Sequence, residues 1–92
     1  MGALWIANVT VTDEEAYGKY AALAGPAIAK HGGEFIARAA RFVQLEGRER
    51  QRNVVAKFPD VDTAVACYHS PEYQEALDFA STRELMVIET SE

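Results

Sequence analysis

The side chains able to do chemistry are few in this sequence, and their spacing decides how far each can be taken. His31 and His69 are the only groups whose ordinary titration falls near neutrality. His31 ends a helical stretch just before Gly32-Gly33, where the helix dipole favours a cation, and that is a sufficient structural reason for it. His69 stands before Ser70-Pro71, at a break between two helices, facing either a cleft or water. Cys67 has no cation near it in sequence and reads as a small core residue. Arg48, Arg50 and Arg52, interleaved with Glu49, read as a solvated turn; the other reading is an anion clamp. No spacing matches a metal site, a nucleophile–base pair or a phosphate loop. The expectation is a protein without metal or cofactor, and no residue is identified as catalytic.

Strand parity supplies a second set of candidates. Asn8 shares a face with Leu4 and Ile6, Lys57 with Val55, and Arg38 with Ile36 and Phe42. With the first and third strands as central neighbours, Asn8 and Lys57 approach each other and Arg38 lies one strand further out. Donors gathered in an apolar sheet face make a small-anion or carboxylate site. The competing reading puts them at strand ends or in structural pairs. Tyr17, Tyr20, Tyr68 and Tyr73 lie on the inner sides of helices, where aromatics are ordinarily core. Tyr73 is the exception to weigh, because a buried phenol needs a hydrogen-bond partner. The candidate ligand-binding residues are therefore Asn8, Arg38, Lys57, His69 and Tyr73.

Four strands and two helical regions must position these groups. Ala3 to Val11 reads as the first strand, apolar on both faces. Thr12-Asp13-Glu14-Glu15 fits a capping box with Thr12 as the cap, and a helix follows with Tyr17, Tyr20, Ala24 and Ile28 inward. Gly25-Pro26 predicts a kink or a break, and His31-Gly32-Gly33 a stop. Phe35 to Leu45 reads as a long second strand, Glu46 to Arg52 as its hairpin connection, and Asn53 to Phe58 as the third strand. Asp60 caps a helix carrying Val61, Ala64, Val65 and Tyr68, and Ser70-Pro71 starts another with Tyr73, Ala76 and Leu77. Ser81 to Arg83 form a turn into the last strand, Leu85 to Ile88, and residues 90–92 are expected to fray.

The order β-α-β-β-α-β is the ferredoxin-like arrangement, an α+β fold. Right-handed crossovers put the helices on one face of a four-stranded antiparallel sheet. The other face, about 19 Å by 17 Å, would leave apolar residues wet in a lone chain. A second copy packed sheet against sheet about a two-fold axis covers it, so the pattern predicts a homodimer.

Ninety-two residues make one domain, 1–92. A net charge of −5 argues against a nucleic-acid partner, which would need basic side chains for phosphates. No apolar run reaches the length of about 18 residues that a membrane span requires. MGALWIANVTV lacks the charged start and long apolar core of a signal peptide. A single cysteine suits a reducing compartment, and the cytoplasm is the expected location.

WIANVTVTDEEAY, HGGEFIARAAR, the EG pair with arginines nearby, VVAKFPDVDTA and YHSPEYQEAL together resemble the small bacterial proteins of domain-of-unknown-function family 1330. The resemblance runs through nearly the whole chain. That family is similar to the dimeric α/β-barrel superfamily, which implies paired ferredoxin-like sheets enclosing a barrel between two subunits. The superfamily includes cofactor-independent monooxygenases, haem degraders, dye peroxidases and small isomerases, besides members of no known activity. The chain departs from the family at Ala39-Ala40, which replaces a glycine pair, and at Cys67, which replaces a tryptophan. The stretch Asp78 to Arg83 looks shortened and short of an arginine.

Two classes of function follow. In the first, the protein is a homodimeric domain of unknown function that binds a small hydrophobic or acidic molecule between sheet and helices. In the second, it is a cofactor-independent enzyme of the monooxygenase or isomerase type, holding substrate near Asn8, His69 or Tyr73. A pocket with His69 or Tyr73 pointing inward favours the enzyme; a solidly packed interface favours the structural reading.

Overall fold

Alternation along the first strand sets the architecture. The computed structural model describes residues 1–91. In β1 (Ala3–Thr10), Ala3, Trp5, Ala7 and Val9 are buried while Leu4, Ile6 and Asn8 are half-buried. The sheet therefore has a covered face and an open one. β1 pairs antiparallel with β3 (Arg52–Phe58) on one side and β4 (Thr82–Glu89) on the other. The short β2 (Glu34–Ala37) lies beyond β3, so the order is β2-β3-β1-β4. The helices α1 (Glu14–Lys30), α2 (Val61–His69) and α3 (Pro71–Leu77) cover one face, completing the ferredoxin-like α+β fold.

Aromatic packing fills the layer between sheet and helices. Trp5, Phe58 and Tyr73 are all but fully buried, and the Trp5 ring meets Phe58 at 5.6 Å and the edge of Tyr73 at 5.1 Å. Cys67 is buried among them as the sequence predicts, its thiol donating to the Ala27 carbonyl at 3.6 Å. Small residues (Ala24, Ala27, Ala64, Ala76) let the helices approach closely. At the end of α1, Gly32 takes a φ of +80°, and Gly33 lies so near Ile28 and Phe58 that a Cβ there would stand 2.5 Å and 2.7 Å from their side chains.

Local chemistry explains the helix boundaries, with adjustments. Asp60 accepts from the Thr63 amide at 2.7 Å, and Ser70, 7 % exposed, accepts from the Tyr73 amide while donating to the Cys67 carbonyl. The cap of α1 is Asp13 and not Thr12: its carboxylate accepts from the Glu15 and Ala16 amides. Pro26 does not break α1, which runs through it. Pro26 and Ala22, one turn earlier, are both exposed, so water can reach the carbonyl that loses its donor.

The largest difference from expectation is the second strand. It ends at Ala37 instead of Leu45, and residues 38–51 run irregularly, with Ala39 at a φ of +52°. The last strand is longer than expected, absorbing the foreseen turn residues Thr82 and Arg83. Arg50 is not a solvated turn residue: it is 6 % exposed, donates from Nε to Glu84 at 3.0 Å and from Nη1 to Thr10 at 2.8 Å, and fastens the irregular segment to the sheet. Thr90 is held to the Gly2 carbonyl by its amide at 2.8 Å, so it does not fray; residue 92, in the same expectation, lies outside the described residues. Among the described residues no helix is long and apolar enough to cross a membrane.

Candidate functional site

Arg83 has the chemistry from which the site is built. It pairs with Val9 on β1 and so projects to the covered face of the sheet. Its Nη1 donates to the Tyr20 hydroxyl at 2.5 Å, and its guanidinium lies 4.9 Å from the Tyr20 ring centre and 5.6 Å from that of Tyr73. The hydroxyls of Tyr20 and Tyr73 meet at 2.5 Å. Burial, with Tyr20 adding to it, pushes the Tyr73 phenol well above its usual range, so it stays a neutral donor. Burial pulls the Arg83 guanidinium down, but its contacts with Tyr20 and Tyr73 outweigh that and the group remains a cation.

Two cavities meet at this arginine. The larger, about 460 Å³, is a cleft between α2 and β4. Val61 and Val65 form the helix wall, Leu85 and Val87 the strand wall, and Trp5 and Tyr68 also line it. Arg83 begins the strand wall and His69 ends the helix wall. Val65 and Met86 are 41 % and 57 % exposed, so the cleft opens to solvent. The smaller, about 40 Å³, lies between α1 and the sheet, with Tyr17, Tyr20, Phe35, Arg38 and Arg83 in its lining.

The five candidates do not gather. His69 lines the cleft, its ring edge-on to Tyr68 at 5.2 Å. Tyr73 is fully buried and acts on the site through Arg83, by the hydroxyl chain and by its ring beneath the guanidinium. Asn8 and Lys57 share the open face but do not approach each other. Lys57 is opposite Leu4 and Asn8 is opposite Asn53, four residues apart or about 13 Å along the strand. The Asn8 side-chain amide donates to Oδ1 of Asn53 at 2.8 Å, a structural pair. Arg38 lies on the covered side, opposite to the face expected from Ile36. The register shifts between Phe35 and Ala37, which oppose Ala56 and Val55, so Ile36 is an extra residue and parity reverses beyond it. The Arg38 guanidinium lies over the Phe35 ring, 4.3 Å from its centre.

Arg83 and Tyr20 were not among the candidates. Arg83 alternates with Leu85 and Val87, both apolar, and that parity was the available signal; the expected turn hid it. Chemically, the cleft can bury hydrocarbon, pair an acidic group with Arg83, and bring an imidazole to its rim. Among the described residues no three His, Cys, Asp or Glu side chains gather as a metal site.

The family described as a domain of unknown function, DUF1330, matches residues 2–91. No curated protein matches the chain. Among solved structures, the chain is similar to a protein of unknown function from Rhodopseudomonas palustris, at 20% identity and a TM-score of 0.73, covering 99% of this chain and 83% of that one. It is similar to SnoaB, a cofactor-independent oxygenase from Streptomyces nogalater, at 14% identity and a TM-score of 0.69, covering 99% and 94%. It is also similar to a dimeric protein of unknown function with a ferredoxin-like fold from Bacteroides fragilis, at 12% identity and a TM-score of 0.64, covering 97% and 96%. These are likenesses of fold.

Proposed function

This chain belongs to the DUF1330 family, whose function is unknown, and on that premise we propose that it is one ferredoxin-like domain, homodimeric, taking a small hydrophobic or acidic molecule between sheet and helices. The observation that supports this is the cleft between α2 and β4. Its volume of about 460 Å³ falls in the range of roughly 300–1,000 Å³ typical of small-molecule sites. The apolar walls favour a hydrocarbon body, and Arg83 offers an acidic group a guanidinium whose hydrogen bond goes to the Tyr20 hydroxyl and not to a carboxylate. His69 and Tyr73 remain in this reading, one at the rim and one as the support of Arg83. Asn8, Lys57 and Arg38 lie outside the cleft.

Self-association is supported by the open sheet face, where Leu4, Ile6, Val55, Met86 and Ile88 are uncovered, and by the Bacteroides neighbour described as dimeric. The lone buried cysteine and the acidic charge support a cytoplasmic protein with no nucleic-acid partner.

A second reading, a cofactor-independent enzyme of the monooxygenase or isomerase type, is favoured by the exposed imidazole of His69 lining the same cleft. In that reading His69 accepts a proton from a substrate whose anionic oxygen faces Arg83.

Titration with benzoate and with its neutral analogue benzyl alcohol, followed by amide resonances, tests the cleft. Benzoate should move the signals of Val65, His69, Leu85 and Val87 saturably. Arg83→Gln should remove most of its advantage over benzyl alcohol, about tenfold. Shifts absent from these residues, or scattered over the surface, would refute the reading.

A further inference from the structure

Arg38 and Arg83 line the smaller cavity beside α1, and a third guanidinium, Arg52, lies over Tyr17, which lines it too. Arg38 follows the end of β2, Arg52 begins β3, and Arg83 stands near the start of β4. Arg52 and Arg83 both pair with Val9 from opposite sides, so they occupy one row across the sheet. Each guanidinium lies over a ring: Arg38 on Phe35 at 4.3 Å, Arg52 on Tyr17 at 5.2 Å, Arg83 on Tyr20 at 4.9 Å. The two tyrosine rings stack on each other at 5.9 Å. A ring contact consumes none of a guanidinium's five N–H donors, and beyond one bond each from Arg52 to Glu14 and from Arg83 to Tyr20 they remain for an acceptor.

Charge here is not balanced. Among the described residues, Glu14 pairs with Arg52 at 3.4 Å, and it is an exposed carboxylate; no carboxylate lies within ion-pair distance of Arg38 or Arg83. Three cations against one carboxylate form a positive spot in a chain whose net charge is −5. Charges of like sign held this close oppose folding unless something offsets them.

Hydrogen-bond accounting adds a donor. Tyr73 is fully buried and its hydroxyl meets that of Tyr20; Arg83, its other polar neighbour, can only donate, so the Tyr73 proton is directed to Tyr20. Tyr20 then accepts from both Tyr73 and Arg83, and its own proton is left for a third partner. Tyr17 is a neutral phenol as well: burial raises it, and the nearby Arg52, Arg38 and Arg83 only partly offset that.

We propose that Arg38, Arg52 and Arg83, with the Tyr20 hydroxyl as a further donor, form a binding site for a small oxyanion carrying two negative charges. The cavity of about 40 Å³ admits a phosphate or carboxylate group and not an extended body. This site shares Arg83 with the apolar cleft, whereas Arg38 and Arg52 do not line that cleft.

Calorimetric titration with inorganic phosphate and with malonate tests it. Saturable binding of at least one is expected. Arg38→Gln and Arg52→Gln should each weaken that binding about tenfold while leaving the benzoate response of the cleft unchanged, since neither residue lines it. Phosphate binding alone would assign the site to phosphate esters, and malonate binding alone to dicarboxylates. No saturable binding of either anion, or an affinity unaltered in Arg38→Gln, would overturn the proposal. Arg38 is exposed, so that variant keeps the fold even where Arg52→Gln does not.

Discussion

Tyr73 has no exposed surface, yet its hydroxyl is the inner end of a chain that reaches Arg83. Two losses can be separated there. Tyr73→Ala removes a ring packed against Trp5, Tyr20 and Tyr68 and should cost roughly 3 kcal/mol or more in denaturant unfolding. Tyr73→Phe keeps the ring and should cost about 1 kcal/mol, with a larger proportional effect on benzoate binding because Tyr20, which accepts from Arg83, loses the hydroxyl that orients it. An unchanged melting point in Tyr73→Ala would contradict its place in the core. Cys67 makes the pH counterpart. Burial, with Glu72 adding to it, pushes its thiol from 9.0 up to about 11. The unfolded chain releases that proton first, so stability falls as pH rises through this window, having been fully present below it. Urea midpoints should fall less steeply there in Cys67→Ala than in the native chain; equal slopes would assign the loss to other groups.

Among the elements, the strands and helices whose caps and alternation agree are legible in the sequence alone. Asp60, Ser70-Pro71 and Gly32-Gly33 each punctuate the chain for a reason that acts within a few residues. Gly33→Ala should therefore destabilise the fold by about 1–3 kcal/mol, because the added methyl meets Ile28 and Phe58 and both are buried. Thermal unfolding would measure it, and a neutral result would mean the α1–β2 corner yields more than its packing implies. What is not legible depends on pairing between strands. The register shift at Ile36 reverses the side on which Arg38 lies, and parity counted along one strand cannot reveal a shift defined by its neighbour. The same limit separates Asn8 from Lys57, since a shared face says nothing about distance along it. Arg83 escapes the sequence for a different reason: a short polar run before an apolar one reads equally well as turn or as strand start.

For the whole molecule the open sheet face is the dominant fact. Leu4, Ile6, Val55, Met86 and Ile88 lie there in a continuous patch, bordered at one end by the polar network of Asn8, Asn53, Arg50 and Glu84. An apolar patch with a polar border suits a second copy of the chain. Ile6→Asp or Val55→Asp would bury a charge in that contact, and light scattering should report half the mass of the native protein. A mass unaffected by either change would place the contact elsewhere. The bond from Thr90 to Gly2 has a consequence of its own. β1 and β4 are antiparallel neighbours, so the two extremities of the described fold lie side by side, while residues 39–49 are exposed and outside every strand. A circular permutant that splices those extremities through a short linker and opens the backbone within 39–49 would keep every ladder of the sheet intact.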